Sequence, residues 1–279
     1  MTPAIALEKF SLRYSAMSHW ALSDLTFQIP RGSCCAILGQ TGAGKSTLLH
    51  TLSGLLGKHH RSAESSGSLQ VMDSGDISLP RESLFPRVGM VLQDPYVMVS
   101  GLYETVDEEI SFTLQNLNYS RDQISHRVQQ TLATLNLETF ASRHPTHLSG
   151  GEVQRVALAC ILVAQPDILL LDEPRNSLDS AGQETVARII KDFRGKTTVL
   201  FTDYQIDLAL AIADHILVLD GGRCIFNGNK SAFLKHNEEF TSILIPDEWK
   251  DVIPALAAPT SKAVRNSQRI AKLFGLDYA

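Results

Sequence analysis

The sequence has no long hydrophobic run. Its apolar stretches, such as Ile168–Leu171 and Ile216–Leu219, fall far short of the roughly 18 residues that a membrane-spanning helix needs. A basic N-terminal segment leading into an apolar stretch is missing too, so no secretory signal is expected. Cysteine is scarce: four in 279 residues, Cys34, Cys35, Cys160 and Cys224, with no C-x-x-C pair. Three of them sit among apolar neighbours and read as small core residues in a reducing compartment. There is no excess of positive charge. Lys and Arg number 25 against 30 Asp and Glu, for a formal charge of −5, so the chain carries no electrostatic footprint for nucleic acid and none is expected as a partner. What remains is ordinary for a globular protein, 44% hydrophobic and 20% charged, and long enough for one elaborated domain or two small ones. The expectation is a cytosolic chain whose membrane role, if it has one, comes through a partner.

The pattern of apolar residues changes three times. Over 5–29 they alternate with polar ones (Ile5, Leu7, Phe10, Leu12, then Leu22, Leu25, Phe27, Ile29), as in a partly exposed antiparallel sheet. Lys58–Ser68, punctuated by Gly57, Gly67 and Gly75, predicts exposed loops and hairpin strands. From 102 to 165 the spacing becomes helical, through Val106, Ile110, Leu114, Leu117 and then Ile124, Val128, Leu132, Leu135. Short consecutive apolar runs flank this insert. Ser33–Leu38, Val88–Leu92, Ile168–Leu171, Thr197–Thr202 and His215–Leu219 suit strands of a parallel sheet covered on both faces. Helical patterns at Thr185–Phe193 and Ile206–Ala213 separate the later strands, so the expected class is α/β with a wound parallel core. Arg223–Asn227 predicts a last hairpin strand after Gly221-Gly222, and the pattern from about Ser231 is helical and irregular.

Three motifs carry chemistry. Gly39-Gln40-Thr41-Gly42-Ala43-Gly44-Lys45-Ser46-Thr47 fills every position of G-x-x-x-x-G-K-[ST] between a buried strand and a helix. Its glycines allow close approach to an anion, and the helix N-terminus offers unpaired N–H groups. Lys45 would reach the β- and γ-phosphates of a nucleoside triphosphate, and the Ser46 hydroxyl would ligate Mg²⁺. Leu171-Asp172-Glu173-Pro174 closes an apolar strand, where Asp172 would hold the magnesium ion and Glu173 would orient or deprotonate a water. Leu148-Ser149-Gly150-Gly151-Glu152 opens a helix at Val153–Val163. Ser149 and Glu152 fit a capping box, which leaves the paired glycines unaccounted for, and the same stretch is a second anion-binding arrangement.

In this order the motifs resemble the nucleotide-binding domain of ABC (ATP-binding cassette) ATPases over about residues 5–230. The resemblance implies a P-loop NTPase cassette with a parallel-sheet core, an antiparallel β subdomain and an inserted helical subdomain at about 94–165. The cassette would occupy 1–230 and a small helical extension, able to dimerise, 231–279. It implies ATP and Mg²⁺ as cofactors and a head-to-tail dimer with a second ABC subunit, identical or not, in which Ser149, Gly150 and Gly151 contact the nucleotide held by the partner. Tyr14 resembles the aromatic that stacks on adenine, with Trp20 as its competitor. Gln93 resembles the glutamine that senses magnesium and the attacking water and links to the helical subdomain. Asp179, in Asn176-Ser177-Leu178-Asp179, resembles the residue that communicates across the dimer.

One element departs from the family. The usual Thr-His pair is here Thr202-Asp203-Tyr204-Gln205, which leaves Asp203 or Tyr204 where a histidine contacts the γ-phosphate. Neither is a cation. An ionised Asp203 would be repelled unless protonated, turned away or bridged by magnesium, whereas the Tyr204 hydroxyl can donate a hydrogen bond. A slow or altered hydrolytic site is therefore expected.

Thr105–Phe112 resembles the start of the helical subdomain in energy-coupling factor and cobalt-type importer ATPases, where Asp107, Glu108 and Glu109 would form a groove for a coupling helix of a transmembrane subunit. A solvated acidic helix start explains the same residues. Ile245-Pro246-Asp247-Glu248-Trp249 onward resembles the C-terminal extension of those ATPases. The leading expectation is an ATPase subunit on the cytoplasmic face of the membrane, energising uptake of a vitamin or metal ion. A catalytically weakened regulatory subunit and a non-transport ABC ATPase are the alternatives.

Overall fold

The structure, a computed structural model, describes residues 3–56, 63–72, 84–175, 178, 180–203 and 206–235. Asn176, Ser177, Asp179, Tyr204 and the extension beyond 235 lie outside the described residues. The chain starts as β1 (Ile5–Tyr14) and β2 (Leu22–Ile29), followed by β3 (Cys34–Leu38), α1 (Lys45–Leu52), β4 (Ala63–Val71) and β5 (Val88–Val91). Next come α2 (Val106–Asn116), α3 (Arg121–Thr134) and α4 (Gly150–Leu162). The last part is β6 (Ile168–Leu171), α5 (Ser180–Phe193), β7 (Thr198–Thr202), α6 (Ile206–Ile212), β8 (His215–Asp220), β9 (Arg223–Asn229) and α7 (Lys230–Lys235).

Two sheets organise these elements. One is antiparallel in the order β2-β1-β4; the other runs β5-β6-β7-β3-β8-β9, parallel except for β9. The runs that are apolar on every residue became the parallel strands, and the two-period of a strand explains why. Cys34, Ala36 and Leu38 of β3 face a core shared with α2, α4 and α6, while Cys35 and Ile37 face a second core shared with α1 and the antiparallel sheet. β6 divides the same way, with Leu169 and Leu171 on one side and Ile168 and Leu170 on the other. Polar residues have no solvent-facing side to occupy in such strands.

Two differences from the sequence reading have local causes. β4 is not half of a hairpin with its chain neighbours: it pairs antiparallel with β1, on the opposite side from β2. Gly67 lies inside this strand rather than between strands, facing an irregularity of β1 where Lys9 has φ 47°. A Cβ there would stand 2.2 Å from the Lys9 carbonyl oxygen, so glycine is required for pairing. The helix expected at Thr185–Phe193 begins earlier, at Ser180; its first turn, Ser180-Ala181-Gly182-Gln183, carries no apolar period to announce it.

The helical stretch packs partly on itself and partly on the core sheet. Val106, Ile110 and Leu114 of α2 and Val128 and Leu132 of α3 join the first core, as do Val153 and Val156 of α4. α4 approaches β5 so closely that a Cβ on Gly89 would lie 2.3 Å from Ile161 Cγ2. Among the described residues no helix is long and apolar enough to cross a membrane.

Candidate nucleotide site

The order β7-β3-β8 places β3 in the interior of the parallel sheet, and the loop leaving its carboxyl end turns directly into α1. Open parallel sheets bind ligands at this end. Gly39, Gly42 and Gly44 have φ of 154°, 82° and 99°, and a Cβ on Gly39 would lie 2.4 Å from the Leu219 carbonyl oxygen. Gly44 is the N-cap of α1, no side chain caps the helix, and its first turn has no acidic residue. The positive end of α1 is thus uncompensated by acidic or capping side chains, which suits an anion. Gln40 and Thr41 are exposed at the loop's crest, and Ala43 is buried, its N–H donating to Gln40 O at 3.1 Å.

Lys45 is buried and folds back over this loop, its Nζ donating to Gly39 O at 2.8 Å and Gln40 O at 3.1 Å. Burial pulls its pKa below the ordinary lysine value, against the pull of Glu173, Asp172 and Asp203. Ser46 Oγ donates to Asp172 Oδ1 at 3.1 Å. Thr47 Oγ1 meets the Tyr14 hydroxyl at 3.2 Å, which fixes that aromatic beside α1.

Asp172 and Glu173 stand at the carboxyl end of β6. β6 and β7 pair with Leu171 opposite Phe201, so the residues that follow meet. Thr202 Oγ1 donates to Asp172 Oδ1 at 2.7 Å and accepts the Glu173 N–H at 2.8 Å. Glu173 has φ 45°, a left-handed conformation that costs an L-residue about 1–2 kcal/mol and persists where surrounding contacts over-determine it. Its Oε2 accepts from Gln93 Nε2 at 3.0 Å. Burial raises its pKa from the ordinary glutamate value, with Lys45 opposing and Asp172 and Asp203 adding. A higher proton affinity makes the carboxylate a better proton acceptor, as general-base work requires.

Asp203 is turned away from the solitary position that repulsion made problematic. Only 4% exposed, its Oδ2 accepts from Arg175 Nε at 3.0 Å and Nη2 at 2.7 Å. Of the alternatives open to an ionised Asp203, this is the one in which it is turned away: the Arg175 guanidinium, directly after Pro174, balances it. Sequence reading missed both Arg175 and Thr202. The clue was the carboxylate itself, since a buried Asp calls for a cation, and Arg175 directly follows the Leu171–Pro174 motif.

A cleft of about 570 Å³ connects these parts, with Tyr14, Met17, His19 and Trp20 at one end and Lys45, Ser46, Gln93 and Glu173 at the other. Trp20 is half-exposed and engaged by the Arg13 guanidinium, 5.2 Å from its ring centroid. Ser149, Gly150 and Gly151 are not part of this lining. Ser149 is the N-cap of α4, and its N–H donates to Glu152 Oε2 at 2.6 Å; that bond holds the Glu152 carboxyl below its ordinary range. Neither glycine has a positive φ, and a Cβ on either would make only ordinary contact, 3.7 Å from the Tyr96 hydroxyl or 3.5 Å from Leu178 Cδ2.

The acidic start of α2 separates into two environments. Glu109 is buried and accepts the Ser100 N–H at 2.6 Å and its hydroxyl at 3.0 Å, so it fastens a loop instead of lining a groove. Asp107 and Glu108 do line one, about 690 Å³ between α2 and α3.

Comparison with known proteins defines the class. The ABC transporter family profile matches residues 22–176, and the chain belongs to that family. Among individual proteins, it is 37% identical over 230 residues to the energy-coupling factor transporter ATP-binding protein EcfA2 of Methanospirillum hungatei, covering 82% of this chain and 56% of that protein. It is 37% identical over 226 residues to the energy-coupling factor transporter ATP-binding protein EcfA1 of Levilactobacillus brevis, covering 79% of this chain and 77% of that one. The solved structure of cbiO1 from Clostridium perfringens, part of the ABC transporter complex cbiONQ, superposes with a TM-score of 0.74 at 28% identity, over 87% of this chain and 94% of that one.

Proposed function

We propose that this chain is the ATP-binding and ATP-hydrolysing subunit of a membrane importer of the energy-coupling factor type, taking up a vitamin or metal ion. The observation that carries this is one connected set of side chains at the carboxyl end of the sheet. Ser46 bonds to Asp172, Asp172 to Thr202, Thr202 to the Glu173 N–H, and Glu173 to Gln93, all beside Lys45.

ATP phosphates fit the loop's N–H groups and the open N-terminus of α1, with Lys45 exchanging its carbonyl partners for β- and γ-oxygens. The adenine end of the cleft offers Tyr14, and Trp20 as a second aromatic. Glu173 accepts a proton from the attacking water while Gln93 holds the carboxylate's other face. The Ser46 hydroxyl and Asp172 carboxylate are hard oxygen donors, and with Gln93 they fit Mg²⁺. Such a set would hold the ion together with the nucleotide's phosphates, as magnesium sites of this kind do. Bound there, the ion neutralises charge on the β- and γ-phosphates.

Gly150 and Gly151 support a dimer with a second ABC subunit. Among the described residues nothing requires glycine at either position, whereas a phosphate approaching the N-terminus of α4 from a partner would. Asp179 would act across the same interface. Transmembrane subunits would engage the helical region, the groove with Asp107 and Glu108 included, which puts this chain on the cytoplasmic face of the membrane. The cassette would span 1–230 and the extension 231–279.

Glu173→Gln should retain ATP affinity and lose turnover by about 100-fold or more; ordinary turnover in this variant would overturn the assignment. Because Asp203 supplies no cation to the nucleotide, a weakened regulatory subunit is the second reading, in which Tyr204 is the remaining donor to the γ-phosphate. Comparing Glu173→Gln with the equivalent change in a partner ATPase separates the two, since only the first reading predicts a large loss from this chain's variant.

A further inference from the structure

The turn carrying Asp172 and Glu173 is held by the last residue of β7 and the residue that follows it. Thr202 ties it at Asp172 and at the Glu173 N–H. Asp203, the next residue, ties it at Arg175 through two charge-assisted bonds of 3.0 and 2.7 Å. The pair is almost wholly enclosed, with side-chain exposures of 7% and 5%. Asp203 is also anchored to the base of the phosphate loop, its N–H donating to Ile37 O at 3.4 Å.

Stability alone is a poor reason for such a pair. Taking both charges out of water costs about what their attraction returns, and apolar substitutes of similar volume are commonly neutral or better. Two neighbouring guanidinium nitrogens, Nε and Nη2, converge on the single oxygen Oδ2, and the rigid planar fork that carries them fixes where Arg175 stands relative to Asp203. The segment it fixes needs fixing: Glu173 holds an unfavourable left-handed backbone conformation between Asp172 and Pro174.

We propose that Arg175 and Asp203 form a positioning clamp for Glu173, an ion pair that locks the turn after β6 onto the end of β7 and keeps the Glu173 carboxylate aimed at the cleft. Asp203 thus serves the site through Arg175, without contacting the nucleotide. The clamp rests on reading Glu173 as the group that activates water, and it explains how a chain with Asp at this position retains an organised site.

The test is steady-state ATPase kinetics, nucleotide affinity and melting temperature on the complex containing this chain, with Glu173→Gln as reference. The double variant Arg175→Met/Asp203→Leu removes both charges without stranding either. A clamp predicts a melting temperature at or above wild type, KM and ATP affinity within about threefold, and kcat lower by about tenfold or more. Wild-type kcat in a folded double variant would overturn it. Should the double variant fail to fold, Arg175→Lys keeps the charge pair but not the fork. Reduced kcat at unchanged melting temperature supports the clamp there, and unchanged kcat refutes it. Undiminished turnover in Glu173→Gln would instead remove the reading of Glu173 on which the clamp depends, so the two failures are distinguishable.

Discussion

Two helices of this molecule begin with glycine-rich turns, and they are built in opposite ways. α1 begins at a left-handed Gly44 with no capping side chain and no acid in its first turn. α4 begins at Ser149 and is closed by its own Glu152. In the first case the chain needs its glycines: φ is positive at Gly39, Gly42 and Gly44, and the Leu219 carbonyl blocks a Cβ on Gly39. In the second it does not. The difference teaches where each ligand comes from. An uncapped helix end set into a cleft with Lys45 and Asp172 behind it is a site complete enough to bind within one chain. A capped end outside that cleft, whose glycines meet only ordinary contacts among the described residues, fits the proposed approach of a partner's nucleotide.

The largest expected effect separates the two ends by ligand. Lys45→Ala should weaken ATP binding to the isolated chain by about 100-fold, or about 2.7 kcal/mol, because among the described residues lining the cleft Lys45 is the one Lys or Arg. Ser149→Arg should leave that affinity within about twofold yet lower turnover of the assembled complex by about 100-fold, the scale of losing a preorganised donor to developing charge. Equilibrium nucleotide binding and ATPase rates on the same preparations check both. Equal losses of affinity would break the comparison.

Glycine replacements sharpen it at smaller cost. Gly39→Ala forces a backbone shift against Leu219 and should destabilise the chain by about 1–3 kcal/mol, as overpacking does. Gly150→Ala and Gly151→Ala should leave the melting temperature unchanged or slightly raised, since alanine favours helix, while turnover falls by about tenfold. Thermal melts beside ATPase assays read both quantities, and a stability loss at Gly150 or Gly151 would show that the chain needs them itself.

What could be read in advance follows from how far apart the interacting residues lie. The phosphate loop is contiguous, so strand, glycines, lysine and hydroxyl were legible together. The parallel strands showed themselves because burial on both faces leaves consecutive apolar residues, as in Ile168–Leu171. The strand order was not legible, since nothing in Cys34–Leu38 says that β7 and β8 will flank it. For the same reason the bonds of Thr202 and Arg175 were not legible: they meet their partners across 30 and 28 residues, through a register that sheet assembly decides. Asp203 looked anomalous for want of that register. Glu109 misled in the other direction, because an acid in the first turn of an amphipathic helix reads as solvated until Ser100 folds over it.

The smallest effect uses a control inside the molecule. α3 opens with the same kind of capping box as α4: Ser120 N–H donates to Gln123 Oε1 at 3.0 Å and Gln123 N–H to Ser120 Oγ at 3.4 Å. No glycines follow Ser120, which is succeeded by Arg121 and Asp122. If capping were the whole role of Ser149, then Ser120→Ala and Ser149→Ala should act alike, each costing about 1 kcal/mol of stability with turnover untouched. If α4 also presents its N-terminus to a partner's nucleotide, the stability costs should match while only Ser149→Ala lowers turnover, by about threefold to tenfold for one neutral donor lost. Denaturant titrations establish the first equality and ATPase rates the second difference. Identical rates in the two variants would reduce the start of α4 to a helix cap and leave its glycines unexplained.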